Sequence, residues 1–91
     1  MKAEKVLDKL RDILSAERHA QLKKYKSLKK VLKMLREERR KCAEQLSNET
    51  DGEARREIAS RLKVISRQRE KGLIVLKELK KERKKTRTWE R

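Results

Sequence analysis

Lys23, Lys26, Lys30 and Lys33 are separated by three, four and three residues, a spacing that sets their ammonium groups along one face of a helix, about one turn apart. Lys29 and Arg36 fall beside them. Such a row neutralises successive backbone phosphates without reading base edges. The plainer reading is a solvated helix exterior. Exteriors of that kind interleave Glu with Lys, whereas residues 18 to 36 hold eight basic residues and no acidic one. A second basic cluster, Lys80, Lys81, Arg83, Lys84 and Lys85, runs toward Trp89 near the chain end. Trp89 has two uses open to it: stacking on a nucleobase, or covering Leu10, Ile13 and Leu14 where the helices end. The covering role is the expected one.

Other reactive side chains are few. Cys42 lies on an apolar helical stripe, where a thiol acts as a small buried hydrophobe. His19 is the single histidine and has no second ligand at helical spacing, so no metal site is expected. Catalysis needs a pocket with positioned groups of shifted pKa, and a rod of helices supplies neither. A non-enzymatic protein without a cofactor is therefore expected.

Composition narrows the partner classes. Over 91 residues the formal net charge is +15, and 49% of residues are charged. That imbalance favours a polyanion: nucleic acid, DNA or RNA, or an acidic protein. Docking on an anionic membrane is disfavoured by one Trp and no Phe. The lone cysteine precludes a disulfide within the chain and suits a reducing compartment. With no apolar run of membrane-spanning length and no signal-peptide core, an intracellular protein is expected, cytoplasmic or nucleoid-associated.

Helices must position these groups. Leu7, Leu10, Leu14, Tyr25, Leu28, Leu32, Leu35, Cys42 and Leu46 recur in steps of three and four, with Arg39 as a polar interruption. Glu17 and Gln21 fall on the same stripe, where consecutive steps of four make a stutter that unwinds a supercoil locally. Ile58, Leu62, Ile65, Arg69, Gly72, Leu76, Leu79 and Arg83 repeat the pattern further along. Arg39 and Arg69 are expected to lay their stems on the stripe and reach out to acids such as Glu38 or Glu70. Between the two runs, Leu46 to Glu53 is polar and contains Gly52, with no proline anywhere in the chain.

The expected fold is therefore all-α, an antiparallel two-helix coiled-coil hairpin over 1–91. Helix 1 is placed at about 3–48, the turn at about 49–53, helix 2 at about 54–86 and a frayed basic tail at 87–91. Facing residues in such a hairpin have numbers with a constant sum. A sum of 104 pairs Leu28 with Leu76 and Tyr25 with Leu79, whereas 97 leaves room for Thr50 to cap helix 2 with Glu53. The basic blocks then lie side by side on one shaft.

A second apolar face remains. Leu73, Ile74, Val75 and Leu76 span a helical turn, and on the other helix Val31 and Met34 flank the Leu28, Leu32, Leu35 stripe, extending the apolar surface beside Leu35. Leaving such a face in water costs about 25 cal/mol per Å². A homodimer forming a four-helix bundle would cover it. The function so implied is nucleic-acid binding through the Lys/Arg-rich shaft with little sequence specificity. The alternative is a coiled-coil adaptor that offers the Leu73 to Leu76 strip to a helical or acidic protein partner. Cys42 supplies a first check on the helical stripe: its reaction with a thiol reagent should be slow in the folded protein and fast in denaturant. Rapid labelling of the folded protein would put residue 42 outside.

Overall fold

A computed structural model of the protein describes residues 2–89, and of their side chains those of residues 3–84. The fold is all-α, with no strand among the described residues. Its helices are α1 (Lys2–Ser15), α2 (Arg18–Lys23), α3 (Tyr25–Asn48) and α4 (Gly52–Trp89). The 38 residues of α4 would span about 57 Å at about 1.5 Å per residue, and the molecule is 59 Å long and 19 by 16 Å across. One helix thus sets its length.

The first helical pattern does not continue as one helix over 3–48. It breaks at Ala16 and Glu17, ahead of the stutter, and bends again at Lys24. The break leaves carbonyls at the end of α1 without helical partners. Gln21 supplies them: its Nε2 donates to the carbonyls of Ile13 at 3.1 Å and Leu14 at 3.3 Å. Gln21 is buried, so this polar stripe residue serves the reversal of the chain instead of a coiled-coil layer. Downstream the backbone is nearly helical again. Lys24 donates to Ala20 and Gln21, and Leu28 donates to Lys24.

Because of that reversal, α1 lies back along α3 and α4. Its buried residues are Ala3, Val6, Leu10 and Ile13, with Leu7 and Leu14 partly buried beside them. The stripe is wider than Leu7, Leu10 and Leu14 alone, as a helix touching two neighbours requires. On α3 the buried set is Tyr25, Leu28, Val31, Leu32, Leu35 and Cys42. Ile65 and Leu79 are buried on α4, with Ile58, Leu62, Val75 and Leu76 packed against the cluster.

Short local devices hold the α3 to α4 connection. Asp51 Oδ2 accepts the Ala54 amide at 3.1 Å, so Asp51 and not Thr50 caps α4. The Arg55 Nη1 reaches back to the carbonyls of Leu46 at 2.7 Å and Glu49 at 2.8 Å, satisfying acceptors at the end of α3. No glycine in the described chain has positive φ, so the turn does not depend on Gly52 for its backbone shape.

Gly72 has a different reason to be glycine. A Cβ there would lie 2.5 Å from Leu32 Cδ2 and 3.2 Å from Leu10 Cδ1, at the meeting point of α1, α3 and α4. Around Gly52 nothing lies within 4 Å of a Cβ. Gly72→Ala gains about 1 kcal/mol of helix propensity and loses about 1 to 3 kcal/mol by overpacking. Gly72→Ala should therefore lower stability in urea by up to about 2 kcal/mol, while Gly52→Ala should raise it by about 0.4 to 1 kcal/mol. A stabilised Gly72→Ala protein would mean that α1 does not press on that site.

Candidate nucleic-acid interface

The grooves beside α3 divide its surface into two flanks. On one flank Lys9, Asp12 and Ile13 of α1 line a groove with Lys24, Ser27, Lys30, Val31 and Met34. On the other, Arg36, Arg39, Arg40 and Ala43 of α3 line a groove with Leu62 and Ser66 of α4. At about 100° per residue, Lys26 and Lys33 fall between these flanks, on the outer face. Lys23, Lys26, Lys29, Lys30, Lys33 and Arg36 are all exposed. Lys30 borders the α1 groove with Asp12, and Lys23 belongs to α2, just before the bend. Among the described residues, Lys23, Lys26, Lys30 and Lys33 make no ion pair.

The second basic cluster meets the first at Tyr25. The Arg83 guanidinium carbon sits 4.1 Å from the centroid of the Tyr25 ring, and Lys29 Nζ is 5.8 Å from it. Tyr25 is buried with 7% of its surface exposed, so the ring is a fixed platform that holds α3 and α4 cations close together. Lys80 and Lys84 line the same hollow. Arg83 is half-buried by its stacking, while Lys80, Lys81 and Lys84 are exposed. The contact expected of Lys85 and the covering role expected of Trp89 lie outside the described side chains, while α4 itself runs to Trp89, past the start of the fraying expected from 87 on.

Acids near this end are already engaged. Arg18 of α2 pairs with Glu78, and its Nε lies 3.8 Å from Glu82. These pairs are exposed and contribute at most about 1 kcal/mol each. Their consequence is spatial: Glu78 and Glu82 are drawn toward Arg18. In these contacts both acids face α2 and not a cation of α3.

Arg39 and Arg69 do not reach out to Glu38 and Glu70. Glu38 instead meets Lys41 at 3.9 Å. Arg69 is half-buried in the seam, its Nε closed to solvent and without a hydrogen-bond partner. Burial, then the charges of Arg39 and Arg36, push the pKa of its guanidinium down from the ordinary value. An unsatisfied buried donor costs about 1 to 3 kcal/mol. Sequence reasoning assigned Arg36 to the interface and missed that Arg39 and Arg40 line one groove with it, and that the charges of Arg39 and Arg36 act on Arg69. The signal was present: with facing numbers summing to 104, Arg39 and Arg69 fall one layer apart.

The apolar strip is divided by the fold. Val31 and Leu35 are buried within the single chain, and Val75 and Leu76 are half-buried against its core. Met34 at 39%, Leu73 at 37% and Ile74 at 59% remain exposed, together with Val64. Leu73 and Ile74 point about 100° apart around α4. Among the described residues no three His, Cys, Asp or Glu side chains gather as metal ligands, and no helix is long and apolar enough to cross a membrane. The chain matches no family model, no curated protein and no solved structure.

A face of like charges strains its own fold. The Debye length falls from about 30 Å at 0.01 M salt to about 10 Å at 0.1 M, so added salt should relieve the repulsion. The melting temperature should rise by several degrees as sodium chloride is raised over that range, followed by circular dichroism. A fall would show that attractive pairs such as Arg18 with Glu78 outweigh the repulsion.

Proposed function

We propose that this protein is a non-enzymatic binder of nucleic acid that engages the phosphate backbone through its basic face, with little sequence specificity. One observation carries the reading. Lys29 of α3 meets Arg83, Lys80 and Lys84 of α4 at Tyr25, and residues 18 to 36, which hold the exposed Lys row, contain no acid. Phosphates spaced along a strand suit such a row, because each cation acts by charge and none needs a shaped pocket.

A second reading rests on Ile74 and Val64, exposed at 59% and 47% on α4. A helical partner, or a second copy forming a bundle, would cover them, and the basic face would then serve solubility or an acidic protein. Self-association must overcome a net charge of +15 on each copy.

Mobility-shift titrations against duplex DNA and RNA over a salt series separate the two. Each phosphate neutralised adds about 0.9 to the slope of log affinity against log salt for duplex DNA. Replacing Lys23, Lys26, Lys30 and Lys33 together with Gln should weaken binding and flatten the slope by up to roughly three to four units, with helicity nearly unchanged. If the wild type retains neither DNA nor RNA at low salt, the nucleic-acid reading is wrong.

A further inference from the structure

Arg83 is the one arginine between Lys80 and Lys85. Its guanidinium carbon lies 4.1 Å from the centroid of the Tyr25 ring, close enough for the planar group to cover that ring. Tyr25 is buried, so the ring beneath is fixed, whereas Arg83 is only half-buried. Arg83 also lines, with Tyr25, Lys80 and Lys84, an open hollow of about 240 Å³. One side of the guanidinium is thus spent on the ring, and the other looks on to the hollow. No carboxylate among the described residues lines it. The Tyr25 hydroxyl makes no hydrogen bond within the described chain. Among those residues Arg69 Nε is the one polar side-chain atom both closed to solvent and unpartnered, so this hydroxyl opens to solvent.

We propose that the hollow takes one unpaired nucleotide, its base stacked on the outer face of the Arg83 guanidinium and its flanking phosphates beside Lys80 and Lys84. This deepens the nucleic-acid reading and rests on it: the lysine row holds a strand by charge, and the hollow separates an unpaired base from a paired one. The chemistry calls for arginine. A guanidinium is planar and weakly hydrated, so it can stack on both of its sides, whereas a lysine ammonium is a strongly hydrated point charge. Unpaired bases are held on arginine planes in this way, and any base will serve because each has a π face. Little sequence specificity is therefore retained. The hollow is smaller than the about 300 to 1,000 Å³ of small-molecule pockets, which suits a single base and not a larger ligand. A base inside a duplex is already stacked and would have to be flipped out to enter.

The test uses the full chain, a short single strand of thymidines, and the same strand with abasic residues at its centre. Both carry the same phosphates. In anisotropy titrations over a salt series, wild type should bind the base-bearing strand about fivefold or more tightly than the abasic one. Arg83→Lys keeps the charge and removes the plane, so it should bind both strands alike, with the salt dependence of the wild type. An Arg83 that serves only packing or charge predicts a preference unchanged in Arg83→Lys, and that result overturns the inference. Trp89 is the other aromatic residue of the chain, and Trp89→Leu should keep the preference. Its loss in Trp89→Leu, with survival in Arg83→Lys, also overturns the inference. The Lys23, Lys26, Lys30 and Lys33 to Gln variant should lower both affinities and leave their ratio. A check that needs no variant is photocrosslinking from a central thiothymidine, which should reach a peptide containing Arg83 or Tyr25. Crosslinks confined to other peptides would place the base elsewhere. If wild type binds neither strand at low salt, the nucleic-acid reading fails; if it binds both alike, that reading stands and this site fails.

Discussion

The fold turns on a single side-chain amide. Where α1 stops at Ser15, the Ile13 carbonyl keeps one backbone donor, the Ala16 amide at 3.2 Å, but the helical ladder ends there, and burying an unpaired carbonyl costs on the order of 1 to 3 kcal/mol. Gln21 closes on Ile13 and Leu14 and removes that cost, which allows the chain to reverse within a few residues and α1 to return along its own continuation. The part of the core that α1 covers depends on this return. Without α1, Leu10 would not reach Gly72 and Val31 would lose its neighbour Ile13. The long pair of α3 and α4 would then have only one stripe each to share.

The same return arranges the charge. Because α1 takes one flank of α3, the apolar cover and the basic surface are separated around the helix. Val31 and Ser27 turn to α1, while Lys26, Lys33 and Arg36 turn away. α1 also brings Asp8 and Asp12, and Asp8 pairs weakly with Arg11 on its own helix, with Asp12 beside Lys30 in the groove. Asp8 is thus held on its own helix, and Glu78 and Glu82 are drawn to the α2 end. The outer face of α3 keeps its full charge.

Much of this was legible in spacing. All-α structure followed from the threes and fours, and Leu28, Leu32, Leu35, Cys42, Ile65 and Leu79 are buried as such spacing requires. Contact between Leu32 and Gly72 belongs to the set of pairs whose numbers sum to 104. The break at Ala16 and Glu17 was not legible in the same way, because neither Gly nor Pro marks it and every residue around it is acceptable in a helix. Its trace was the pair of polar residues, Glu17 and Gln21, at positions that a coiled coil would fill with Leu. A helix continuing through them with poor packing and a chain reversing at them leave the same pattern. The tie was broken only by Ala3, Val6 and Ile13, whose extra apolar stripe has no use unless α1 touches two helices. The need to cover Val31 and Leu76 was visible too, and α1, within the same chain, is what lies over the Val31 flank.

Charge and stability in this molecule are bound together by geometry. Tyr25 is buried in the core with Arg83 over its ring, and Arg83 and Lys29 lie near each other because both approach that ring. Arg69 is held in the seam by packing, against its repulsion from Arg39 and Arg36. At both places the hydrophobic contacts of α3 with α4 bring cations nearer than they would stand in an unfolded chain, so folding itself concentrates positive potential. Any polyanion that neutralises this surface binds the folded chain better than the unfolded one, and by linkage must stabilise it. A rigid helical scaffold also fixes these cations in advance, so little conformational entropy would be lost if an anion associated with them. The aliphatic core and the basic face are in this sense one device, in which burial of Leu28, Leu35 and Leu79 does the work of assembling charge.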